Sequence, residues 1–139
     1  MEAWATELLE VWTRNRDVIA DTMLDATSNN PYLPVKYTRE DLMQIFDGAR
    51  AMMAEDLGGE SSELRDTYMN SVVPGLVAGG QPLSAIAGQI VINAIQLQSV
   101  LIPAMSEKHR NQAATFFRNW YCRMCMDTVR IGLEQGAKV

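Results

Sequence analysis

Forty consecutive residues, Thr67 to Ser106, contain no Asp, Glu, Lys, Arg or His. In a chain that is 21% charged overall, such an interval is a membrane span, a linker or a segment folded into protected surroundings. Leu83 to Ile102 is long enough to span a bilayer, but Ser84, Gln89, Asn93, Gln96, Gln98 and Ser99 interrupt it, and neither a Lys/Arg cluster nor a Trp/Tyr belt flanks it. A linker does not fit either, because Leu83, Ile86, Ile90, Ala94, Leu97 and Leu101 recur at helical steps. A central helix, apolar nearly all round and buried in a soluble protein, is the expectation.

The flanks are charged with opposite bias. Residues 1–66 hold 14 acidic and 6 basic side chains, and residues 107–139 hold 3 acidic and 6 basic. The two segments are therefore expected to act as charged covers over the middle, with the acidic early helices as a counter-surface for the late arginines, within the chain or between subunits. A net charge of −5 argues against a general nucleic-acid binder, which needs a cationic surplus against phosphate. The 139 residues suit one domain spanning the whole chain. Met1-Glu2-Ala3-Trp4 opens with neither a basic region nor an apolar run, so a cytoplasmic location and no membrane partner are expected.

Periodicity gives about five helices and no strand. Trp4, Leu8, Val11, Trp12, Val18, Ile19 and Met23 mark one amphipathic helix from about Glu2 to Ala26. Pro31 and Pro34 make residues 31–37 an irregular connector. Thr38 is placed to cap a second helix that Gly58-Gly59 closes, and Ser61 or Ser62 a third, with Pro74 expected to kink it and Gly79-Gly80 to stop it. Pro82 opens the fourth helix and Pro103 ends it. Ser106 caps a long last helix to about Gln135, carrying Ala113, Phe117, Trp120, Met124, Thr128 and Ile131 on one stripe. At about 1.5 Å per residue it is roughly 45 Å long, so part of it is expected to project or to pair with another chain.

Residues that carry chemistry are few. The single histidine, His109, sits in a polar first turn, where a surface position is expected and ligation of haem is the alternative. The Glu60, Glu63 and Asp66 group lacks any Glu-x-x-His partner and reads as a solvated face rather than a metal set. Cys122 and Cys125, one turn apart without a flanking strand, read as buried free thiols. The nine methionines are expected to fill the core, with an apolar ligand cavity, or an enzyme acting within it, as the lesser readings. Gln89, Asn93 and Gln96 form a polar but uncharged stripe, which favours a protected setting, either a self-association surface or a pocket receiving a polar ligand group. With them, Phe117, Trp120, Tyr121 and Met124 are the candidate pocket or dimer residues.

The segments Tyr37-Thr38-Arg39-Glu40-Asp41-Leu42 and Val77-Ala78-Gly79-Gly80-Gln81-Pro82-Leu83-Ser84-Ala85-Ile86, with the apolar and aromatic-rich helices that follow, make the chain resemble the N-terminal sensory domains of the stressosome co-antagonist family RsbR. The resemblance covers about residues 1–135. It implies a globin-like all-α fold without haem, a homodimer formed through the late helices, and a signal passed to a regulatory partner or C-terminal output domain. This sequence ends at Val139 before any such domain, as a stand-alone member or an excised sensor region would. The class expected is thus a non-enzymatic sensor domain, and the alternative a haem-binding globin with His109 as axial ligand.

Overall fold

The computed structural model describes residues 1–33, 35–59 and 61–139. Pro34 and Glu60 lie outside the described residues, and with them one proline of the connector and one member of the Glu60, Glu63 and Asp66 group. The architecture is all-α, with no strand among the described residues. Helices α1 (Ala3–Arg14), α2 (Arg16–Ser28) and α3 (Arg39–Gly58) are followed by α4 (Glu63–Thr67), a π-helical turn (Tyr68–Val72) and α5 (Val73–Ala78). Helices α6 (Leu83–Ala104) and α7 (Glu107–Glu134) complete the bundle.

The single first helix of the sequence reading is two helices. At Asn15 the backbone leaves the helical region, and the Asn15 side-chain amide donates to the Val11 carbonyl at 2.8 Å. Side-chain bonding to a nearby carbonyl is how Asn competes with helix propagation. The break lets α1 pack on α7 while α2 runs antiparallel to α3, where Arg39 meets Asp17 and Asp21 and Arg16 meets Asp47. Val18, beyond the break, is half exposed rather than buried.

The predicted caps are present at Thr38, where a full capping box forms: Thr38 Oγ1 accepts from the Asp41 N–H and the Asp41 carboxylate accepts from the Thr38 N–H. Gly58-Gly59 closes α3. At the end of α5, Gly80 takes φ +87°, the left-handed conformation glycine enters without strain, and the Gln81 N–H reaches back to the Leu76 carbonyl. Gly136 does the same for α7 at φ +74°.

Pro74 does not simply kink its helix. The turn before it widens, with the Val73 N–H bonded to the Tyr68 carbonyl five residues back. This π turn accommodates a ring that an α-helix interior rejects. Pro103 likewise sits inside the last turn of α6 rather than beyond it.

Helices α6 and α7 form the most extensive helix pair and run antiparallel, since Leu83 at the start of α6 meets Gly132 near the end of α7. A Cβ on Gly132 would fall 2.6 Å from Leu83 Cδ1, so the absent side chain sets this close approach. The chain end then folds back, and the Lys138 carbonyl accepts from the Leu83 N–H at 2.7 Å. Two expectations are corrected here. Helix α7 does not project, because its buried residues run from Ala113 to Gly132. Nor is α6 buried all round: it is long and apolar enough to cross a membrane by length and composition, yet only 28% of its most apolar window is buried. The late arginines also pair within α7, Arg123 and Arg130 with Asp127 and Arg130 with Glu134, and not with the acidic early helices.

One polar cluster is buried. Asp56 on α3 accepts from Arg65 at 2.6 Å, from Ser62 at 2.6 Å and from the Trp120 indole at 2.7 Å, and the Arg65 and Asp56 side chains are 6% and 9% exposed. Removing the carboxylate would leave a buried guanidinium and a buried indole N–H without a partner. Asp56→Ala is therefore expected to cost about 3–5 kcal/mol in urea unfolding. Asp47→Ala, which breaks the exposed Arg16 pair, is expected to change stability far less.

Candidate functional site

The best-formed cavity lies between α3, the α4–π–α5 rod and α6, with a volume of about 570 Å³. Leu42, Ile45, Gly48, Ala51 and Met52 of α3 form one wall. Leu64, Tyr68, Val72 and Leu76, each four residues after the last, form the second, and Ile86, Gln89, Ile90 and Asn93 of α6 the third. Among the described residues no Asp, Glu, Lys, Arg, His or Cys lines it. Three large apolar side chains at this site face water: Ile45, Leu64 and Val72 are 38%, 44% and 43% exposed.

Polar groups in the cavity are neutral. Gln44, Gln81, Gln89 and Asn93 supply amides, Thr67 a hydroxyl, and Tyr37 and Tyr68 phenols. Burial pushes both phenols above the ordinary tyrosine range, so they stay protonated. Gln89 donates to Asn93 across one helical turn at 2.8 Å. Whichever way the two amides are turned, this bond leaves one oxygen and one NH2 group for a further partner.

The sequence-derived candidates divide. Gln89 and Asn93 come together in the cavity, whereas Gln96 lies outside it, its backbone carbonyl accepting from Ser99. Phe117, Trp120, Tyr121 and Met124 belong to the core, where Phe117 packs against Trp12 and stacks on Tyr121. Trp120 is held by Asp56, and Tyr121 also edges a groove of about 410 Å³ between α6 and α7 with Val91, Ile95, Cys122 and Cys125. The cysteines are not the buried thiols expected: Cys122 is exposed and Cys125 half-buried, because the stripe they share lies on the outer side of α7. No spacing in the sequence marks Tyr37, Gln44, Tyr68 and Gln81 as site residues, because they are scattered over four segments that only the fold brings together.

His109 lies in none of the cavity walls. Its Nδ1 meets Glu7 Oε2 at 2.9 Å, and Glu7 also accepts from the backbone N–H and hydroxyl of Ser106. Ser106 thus starts α7 without a cap from its own side chain, and its N–H and hydroxyl both go to a carboxylate from α1 placed near the positive end of the helix. The His109–Glu7 contact uses Nδ1 only, an arrangement that ligating histidines also show, but His109 is not among the residues that line the apolar cavity, so the axial ligand of the haem alternative is not brought to that hollow. No group of three or more metal-ligating side chains occurs among the described residues.

With this geometry established, comparison with known proteins adds no relative: no family model, no curated protein and no solved structure matches the chain.

The Ser106 N–H and the His109 contact hold the Glu7 carboxyl below the usual carboxylate range. A group that titrates lower when folded stabilises above its unfolded value and loses that contribution as pH falls through the folded one. Glu7→Gln is expected to lower Tm at pH 7 and to flatten the loss of Tm from about pH 5 downward. Thermal unfolding followed by circular dichroism across that range checks both effects.

Proposed function

We propose that the chain is a non-enzymatic regulatory or sensor domain that acts as a homodimer joined through α6 and α7. The observation that carries this reading is a pair of unpartnered apolar stripes. On α6, Val91 and Ile95 are 47% and 59% exposed; on α7, Met126, Val129 and Leu133 follow the exposed Cys122 and are 67%, 38% and 58% exposed. The α7 stripe keeps steps of four, three and four, the heptad spacing with which helices seat against partner helices, and Val91 and Ile95 make one step of four on α6. Two antiparallel helices offering such stripes side by side make half of a four-helix bundle, and a two-fold axis supplies the other half.

The resemblance to RsbR sensory domains supports the same reading and adds to the proposal a cytoplasmic, globin-like, non-haem domain with a regulatory partner. Signal would pass through a shift in the packing of α6 against α7, a change of the kind that helix pairs at subunit interfaces undergo. No Asp, Glu, Lys, Arg, His or Cys lines the apolar cavity among the described residues, and burial holds the two phenols there in the protonated form, which supports a binding role over acid–base chemistry.

Sedimentation velocity in the micromolar range is expected to show a dimer, and Ile95→Glu or Met126→Glu to weaken association by about 100-fold by placing a carboxylate in the apolar seam. A wild-type chain that stays monomeric throughout that range overturns the dimer.

A further inference from the structure

The cavity between α3, the π turn and α6 has a lining selective enough to define its occupant. Its volume of about 570 Å³ falls within the range of small-molecule sites, and its walls are apolar with a few convergent polar groups. An occupant covering Ile45, Leu64 and Val72 would remove exposed apolar surface from water. An ionised occupant would lose hydration without meeting an opposite charge in that lining, which is costly in apolar surroundings. The Gln89–Asn93 pair offers one acceptor and one donor, which suits a head group that both donates and accepts.

We propose that this cavity binds an uncharged amphiphile, its hydroxyl or primary-amide head on Gln89 and Asn93 and its alkyl or aryl body against Leu42, Met52, Tyr68 and Ile90. The site rests on the lining alone. Its regulatory use rests on the dimer reading above: the occupant touches α6 on the edge carrying Ile86, Gln89, Ile90 and Asn93, while Val91 and Ile95 of the same helix belong to the outer stripe. A helix with a ligand on one edge and a partner on the other couples the two equilibria when both favour the same one of two positions of α6, the packing shift invoked above.

Gly48 provides a clean probe. It lines the cavity, and a Cβ built there meets nothing within 4 Å, so a side chain can be added at this wall without a clash at its first atom. The experiment uses the neutral fluorophore N-phenyl-1-naphthylamine, displaced at pH 7 by 1-decanol, decanoate or decylamine, all below micelle-forming concentrations. Expected are enhanced fluorescence with the wild-type chain and with Ile95→Glu, its loss in Gly48→Phe at an unlowered Tm, and displacement by 1-decanol at about 10-fold lower concentration than by either charged analogue. The double variant Gln89→Leu/Asn93→Leu is expected to bind the fluorophore and to lose the preference for the alcohol. Equal displacement by all three heads, or undiminished fluorescence in Gly48→Phe, overturns the proposal. Sedimentation with and without 1-decanol separates the two readings: a monomer that still binds 1-decanol selectively defeats the dimer and keeps the site, and a dimer whose association is the same with and without 1-decanol defeats the coupling.

Discussion

The Asp56 carboxylate is the constraint on which the remaining packing depends. A buried charge is tolerable only when its lone pairs are occupied and an opposite charge is at hand, and Arg65, Ser62 and Trp120 meet both conditions from two other helices. The three donors fix how the α3–α4 corner closes and where α7 lies against it. Arg65 is also one helical turn before Tyr68, so the same anchor sets the start of the rod that walls the cavity. Apolar packing between α1 and α7, through Trp12 and Phe117, tolerates small slides; a carboxylate gripped on three sides does not.

Much of the fold was legible because local chemistry and tertiary need coincide in it. Thr38 with Asp41, the two glycine pairs and the periodicity of α6 and α7 all act over four residues or fewer, within reach of a sequence reading. The departures share a different cause, since each depends on a partner remote in sequence or on competition for one backbone group. Asn15 ends α1 with its side-chain amide and its own N–H both on the Val11 carbonyl, and Glu7 holds the Ser106 end of α7 from 99 residues away. The π turn before Pro74 could be read only as a kink, because the same ring is accommodated either by bending a helix or by widening it. The candidate site was half legible. Gln89 and Asn93 stood out as amides where charges would be ordinary, but the phenols and amides that complete the cavity are dispersed, and no spacing links them.

The charge-free interval takes on a double meaning in the folded chain. It supplies the second wall of the cavity apart from Leu64, the whole third wall and the α6 half of the exposed seam, so both faces of α6 present neutral surface for different purposes. A single Lys or Glu on this helix would charge either the cavity or the seam. The arginines of the flanks, expected to pair across it, find partners nearby: Arg16 and Arg39 between α2 and α3 at one end, and Arg123 and Arg130 within the turns of α7 at the other.

The wide turn at Tyr68–Val72 sets the direction in which a wall faces. Leu64, Tyr68, Val72 and Leu76 are spaced by four, and on an unbroken α-helix each step of four advances about 40° around the axis, or about 120° over the set. The stripe would then spiral away from α6. Widening one turn takes up the excess rotation and keeps all four side chains toward the same hollow. The orientation of this wall is accordingly a matter of residue count more than residue identity: a chain one residue shorter here could keep every apolar side chain, form as good a helix, and turn that wall away from its cavity.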